Sequence, residues 1–325
     1  MKYFQYLSIA ILSLILLGLA GCGGETPPAA APAESGPTVA PEEAAKGNPT
    51  AVLLGATAVP TRIPATTTPT PKPLPPTPTP RPTATPAPAQ EAQAEPAKPL
   101  TDLVEIPGGP FTMGQDGGSD DEAPAHEVDV PTFSMELFEV TNAQFAAFVA
   151  DTGYVTEAET GGSAGWKPLA EGKDNYPVVK VTWNDAKAFC EWAGRRLPTE
   201  AEWEKAARGT DARKFPWGDD WDANRANVKE AGFRGTTPVG TFADGASPFG
   251  IFDMAGNVWE WTADWYQPYP GNTVADPFYG EEFKVLRGGG WFDEPDQVLT
   301  TNRSSTSPTA ANDDIGFRCA SDEAN

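Results

Sequence analysis

Asp253-Met-Ala-Gly-Asn-Val-Trp-Glu-Trp261 is the sharpest phrase in this chain of 325 residues. Asp253 and Glu260 bracket a turn marked by Gly256. A turn folds carbonyls inward, so two carboxylates with backbone oxygens suit a hard cation such as Ca²⁺. The spacing does not match an EF-hand loop. On residue types alone, a hydrogen-bonded turn with Trp259 and Trp261 packed into the core accounts for the phrase better.

Outward from that phrase, three short helices are predicted from their caps. Thr141-Asn-Ala-Gln144 is a capping box, with Phe145, Phe148 and Val149 on one face and Gly153 as the stop. Thr182-Trp-Asn-Asp185 opens a second helix, burying Ala186, Phe189, Cys190 and Ala193 before Gly194. Thr199-Glu-Ala-Glu202 opens a third, with Trp203, Ala206 and Ala207 inward and Gly209 at its end. Strand signals are Leu103–Ile106, Val178–Val181 and Lys284–Leu286. Between them lie Gly/Pro/Asp/Trp loops such as Phe215-Pro-Trp-Gly218, Gly232–Gly240 and Phe249–Trp265. A loop-rich domain needs tie points, and packed aromatics, a disulfide and bound cations are the candidates.

Composition divides the chain. Residues 1–100 hold 20 of the 35 Pro, none of the 10 Trp, and six basic against six acidic side chains. The rest carries 17 basic against 39 acidic, which is the whole net charge of -22. The reading is one globular domain, 101–325, behind a segment that buries no core. An acidic domain without a basic stripe argues against nucleic acid as a partner. Lys2, the apolar run from Leu7 to Ala20 and Gly21-Cys22 read as an export signal over residues 1–21. Leu19-Ala-Gly-Cys22 resembles a bacterial lipobox, which implies lipid on Cys22 and a membrane-anchored, extracytoplasmic domain. Residues 22–100 read as a Pro/Thr/Ala-rich disordered stalk. With Cys22 lipidated, Cys190 and Cys319 remain; in an oxidising compartment they bridge, the alternatives being two buried thiols or a redox couple.

Several chemistries are excluded. His126 is the one histidine, so no multi-His iron or copper site forms within a single chain. No Gly-x-Ser-x-Gly elbow, P-loop or dinucleotide fingerprint occurs. The acidic stretches Asp116–Glu122 and Asp219–Asp222 read as solvated loops.

Seven motifs in order close the reading. They are Ile106-Pro-Gly-Gly-Pro-Phe-Thr-Met-Gly114, Glu139-Val-Thr-Asn-Ala-Gln-Phe145, Arg196-Leu-Pro-Thr-Glu-Ala-Glu-Trp-Glu204, Phe215-Pro-Trp-Gly218, Gly256-Asn-Val-Trp-Glu-Trp261, Arg287-Gly-Gly-Gly-Trp291 and Gly316-Phe-Arg-Cys-Ala320. Together they resemble the formylglycine-generating enzyme (sulfatase-modifying factor) family. The resemblance implies an irregular α+β, C-type-lectin-like fold with little regular secondary structure. It implies a structural disulfide between Cys190 and Cys319. It also implies a calcium site of Asp253, Glu260 and the carbonyls of Gly256 and Val258, which reverses the residue-type reading of that phrase. A second calcium site would use Asn227 with the carbonyls of Val228 and Phe233, but its acidic ligand falls on Ala231.

The family's oxidases hold copper on two cysteine thiolates after the Arg-Gly-Gly segment. Here Gly288–Arg303 contains no Cys; counting from Arg287, the first would fall at Asp293, and the Ser common in the glycine motif is Gly290. Cu(I) requires soft thiolates, which Asp does not replace, so copper is not expected. The expected function is therefore a binding or accessory module for a peptide, glycan or envelope protein, with a remodelled cleft near Trp291, Asp293 and Arg303. The alternative is an oxidase acting on a protein cysteine through a divergent site; the superfamily's non-haem iron members draw His from an added helical domain that this chain does not match.

Overall fold

The computed structural model describes residues 100–322. The export signal, Cys22 and the stalk lie outside the described residues. By its contacts the chain divides into units 1–85 and 86–325, and every described residue falls in the second. Among the described residues no helix is long and apolar enough to cross a membrane.

Secondary structure is sparse, as expected. β1 (Leu103–Ile106) pairs antiparallel with β4 (Phe133–Glu136), which pairs with β9 (Ala320–Ser321). β2 (Gly109–Met113) and β3 (His126–Val130) form a separate antiparallel pair. A four-stranded sheet runs β7 (Arg303–Thr306), β6 (Lys284–Arg287), β5 (Trp259–Trp265), β8 (Ile315–Gly316), with β8 parallel to β5. The helices are α1 (Asn142–Thr152), the one-turn α2 (Glu157–Thr160) and α3 (Lys167–Ala170), α4 (Trp183–Trp192) and α5 (Glu200–Arg208).

The capping chemistry placed the three longer helices. Thr141, Thr182 and Thr199 each accept a hydrogen bond from the third helical N–H, and each box is closed by the reciprocal side chain. α1 ends at the left-handed Gly153. Phe145, Phe148 and Phe189 from α1 and α4 meet Phe317, Trp261 and the Cys190–Cys319 disulfide in one core. α5 buries Trp203, Ala206 and Ala207 in a second core with Ile106, Phe133 and Met135.

Two strand readings differ from the structure. Val178–Val181 is buried but is not a strand. Lys180 is left-handed at φ 60°, which no ladder admits, and the Val178 and Lys180 N–H groups donate to Val140 and Asn312 on separate segments. Conversely, Trp259–Trp265, read as loop, is the strand at the centre of the four-stranded sheet. Its first four residues are buried whichever face they point to, so it shows no clean alternation.

Candidate functional site

The Asp253–Val258 turn is built from left-handed residues, Asp253 at φ 58°, Gly256 at 75° and Asn257 at 66°. Only glycine fits at position 256, where a Cβ would lie 2.3 Å from the Asn227 carbonyl oxygen. The Asn257 N–H donates to that same oxygen at 2.8 Å. The residues expected at the two calcium sites are thereby brought side by side. Glu260 leaves the turn on β5, opposite Arg287 of β6, and is fully buried.

Arg318 lies over Glu260, its Nε 2.7 Å from Oε2 and its Nη2 2.7 Å from Oε1. The Trp203 indole N–H adds a third donor at 2.9 Å. Asp253 accepts from the Gly240 N–H at 2.6 Å. Burial pushes the Asp253 carboxyl up to about 6, against the Gly240 hydrogen bond and Arg318, and the Glu260 charge adds to the rise. Glu139, also fully buried, is held well above the carboxylate range by burial and then by the charges of Asp253 and Glu260. Three carboxylates thus share the field of one guanidinium.

Two acceptors in this cluster lack donors. Asn257 donates to Glu139 Oε2 at 2.7 Å, but Glu139 Oε1 is buried with no partner. Asn227 donates to Asn257 Oδ1 at 3.0 Å and to the Gly235 carbonyl at 2.9 Å, while its own Oδ1 is equally bare. Surplus negative charge with unfilled oxygen acceptors fits a hard cation. Among the described residues no three Asp, Glu, His or Cys side chains converge closely enough to hold a metal. Backbone carbonyls such as those of Gly256 and Val258 would have to complete any coordination shell. At the second expected site Val228 is buried, Phe233 is exposed with its ring edge against Phe242, and Ala231 contributes no charge.

Glu139 and Arg318 were not singled out as site residues, although both stand inside quoted motifs. Glu139 reads as the lead-in to a helix cap and Arg318 as a neighbour of Cys319. Only the chain crossing between β4, β5 and β8 places them together.

Copper does not fit. Cys190 and Cys319, the two cysteines of the domain, are joined as a disulfide and fully buried. Asp293, at the position counted for the first thiolate, turns into its own loop: its Oδ2 accepts from the Gly290 N–H at 2.7 Å, and its carboxylate also takes a hydrogen bond from the Trp259 side chain. The expected cleft of Trp291, Asp293 and Arg303 is not assembled. Asp293 and Arg303 are both buried in different polar clusters, and Trp291, edge-on to the exposed Phe292, is half-buried.

Arg303 belongs to a second buried ion cluster. Its guanidinium bonds both oxygens of Glu200, at 2.6 and 3.0 Å, and lies over the Tyr269 ring at 4.0 Å. Arg287 joins Glu200 at 3.0 Å and Glu204 at 2.6 Å, and Arg208 meets the other Glu204 oxygen at 2.8 Å. Burial would raise the Glu200 carboxyl, but Arg303 and Arg287 overcome it and hold it below its usual range.

Residues 88–323 match the family described as the sulfatase-modifying factor enzyme 1-like domain. The chain belongs to the sulfatase-modifying factor family. Inactive C-alpha-formylglycine-generating enzyme 2 of Mus musculus is 38% identical over 273 residues, covering 67% of this chain and 85% of that protein. The formylglycine-generating enzyme of Streptomyces coelicolor is 36% identical over 281 residues, covering 67% and 88%. Among solved structures, PvdO from Pseudomonas aeruginosa superposes with a TM-score of 0.58 at 30% identity, covering 68% of this chain and 94% of that one. The family scaffold, with its irregular α+β fold, therefore spans the described domain.

Proposed function

We propose that this sulfatase-modifying factor domain is a binding or accessory module for a peptide, glycan or envelope protein, held at a membrane by lipid on Cys22. The disulfide carries the reading: with Cys190 and Cys319 bonded to each other, the domain has no thiolate pair for copper. Asp293 supports it, because a carboxylate committed to the Gly290 and Trp259 donors is neither a soft ligand nor free to move. A relative 38% identical carries the word inactive in its name, and scaffold retention without the oxidase chemistry is the corresponding state here. The lipid anchor rests on Leu19-Ala-Gly-Cys22 alone. Calcium at the Asp253–Glu260 turn is proposed as a structural tie, on the bare Glu139 and Asn227 oxygens.

The test is Cu(I) uptake. The full chain and its Cys22→Ser variant are titrated against a chromophoric Cu(I) chelator, with the Streptomyces coelicolor relative as reference. Neither form of this chain should compete with the chelator. Stoichiometric uptake by the Cys22→Ser variant would overturn the reading.

A further inference from the structure

Residues Trp217–Asp222 and Arg225 line an open surface pocket of about 430 Å³. Two indoles form its walls. Trp217 stacks flat on the buried Phe215, 5.3 Å between centroids and 6° between planes, so one indole face is covered and the other lines the cavity. Trp221 stands at 49° to Trp217, 5.8 Å away. Neither ring is free to swing: Trp217 Nε1 donates to the Asp220 carbonyl and Trp221 Nε1 to Glu230, both at 3.0 Å. Phe215 and Gly218 exchange backbone hydrogen bonds at 2.8 and 3.0 Å, which fixes the turn beneath.

Charge gives the cavity its selectivity. Asp219, Asp220 and Asp222 line it with Arg225. Arg225 is committed to Asp222 at 3.1 Å and to the Asp244 carbonyl at 2.8 Å. Asp219 accepts from the Lys214 N–H at 3.1 Å but has no ion pair among the described residues, and neither has Asp220. Arg213, whose charge also feels Asp219, is ion-paired with Asp211. The carboxylates do not converge for a metal ion. Two spread negative charges over two inclined indole faces instead complement a diffuse positive charge, because the face of an indole carries negative potential. A neutral sugar would use the ring faces but gain nothing from the excess charge.

We propose that this cavity binds a small organic cation, an alkyl- or trimethylammonium group. The pocket is lined by none of Trp291, Asp293 and Arg303, and the proposal does not depend on the domain being inactive. Choline is the probe, titrated into the full chain by calorimetry beside its uncharged isostere 3,3-dimethyl-1-butanol and beside N-acetylglucosamine. Choline should saturate one site per chain and bind roughly ten-fold more tightly than the isostere, the size of a partly desolvated cation–π contribution. Trp221→Leu should abolish binding, and Asp220→Asn should weaken it about three-fold, as expected for a partly screened charge. Should Trp221→Leu fail to fold, the exposed Asp220→Asn variant and the isostere ratio carry the test. Equal binding of choline and its isostere, binding of the sugar in place of choline, or unaltered binding in both variants would each overturn the proposal.

Discussion

Two buried ion clusters meet on one face of β5 and β6, with the Trp203 ring touching both, and they are built to opposite rules. In the Arg287 cluster three guanidinium groups face two carboxylates, and Glu200 and Glu204 each have both oxygens engaged. In the Arg318 cluster three carboxylates face one guanidinium, and oxygens of Glu139 and Asn227 have no donor. The first cluster has its carboxylate oxygens filled, leaving only the Arg208 and Arg287 Nε atoms without acceptors, and it holds strands and helix together. An acid-rich cluster is stable only if its carboxyls keep protons or a cation arrives. The difference makes the first a structural tie and the second the place where the proposed calcium would act.

The comparison breaks most easily at Arg287. Replacing it by Ala leaves Glu200 and Glu204 short of charge in the interior, and loss of one partner of a buried pair costs about 3–5 kcal/mol. Urea unfolding should show that loss equally with and without calcium. A loss that calcium reverses would blur the two clusters.

The next effect is calcium itself. Saturating calcium should raise the melting temperature of chelator-treated protein, with stabilisation of about 2.7 kcal/mol at a hundred-fold excess over Kd. Asp253→Asn should remove that gain while Arg287 and its partners stay intact. No difference between calcium and chelator in the wild type would remove calcium from the account.

Protons should report the same cluster. Between the ordinary aspartate value of 3.8 and about 6, folded Asp253 keeps a proton that the unfolded chain releases. Its contribution is present below that window and is lost as pH rises through it. In chelator, the stability of wild type relative to Asp253→Asn should therefore fall from pH 4 to pH 7, by on the order of 1–3 kcal/mol. A flat difference would show that Asp253 is ionised throughout. The smallest change is Glu139→Gln: removing a charge beside Asp253 and Glu260 should leave calcium-free stability at pH 7 unchanged or higher, within about 1 kcal/mol. A large loss would mean that Arg318 needs all three carboxylates.

What was legible in the sequence follows from range. The Thr141, Thr182 and Thr199 caps act within three residues and were read correctly. The disulfide and the family scaffold were readable through motifs, and both stand. Strand β5 was missed because burial on both faces removes the alternation that marks a strand, and Val178–Val181 misled because a buried apolar run looks the same whether or not it pairs. The polar clusters were the least legible. Glu139 and Arg318 lie 179 positions apart in number, and Arg303 was assigned to a cleft although Glu200 and Tyr269 enclose it. Nothing local distinguishes a buried arginine from an exposed one.

The central claim is that the domain keeps the family scaffold without the chemistry that oxidises a protein cysteine. The direct measurement is to incubate the purified full chain with copper, O₂, a thiol reductant and a Cys-x-Pro-x-Arg peptide, and to weigh the peptide by mass spectrometry. The peptide mass should not change, because no thiolate pair is available to hold copper. Loss of about 18 Da, the conversion of the cysteine to an aldehyde, would contradict the proposal, since Cys190 and Cys319, bonded to each other, offer no thiolate pair for that chemistry.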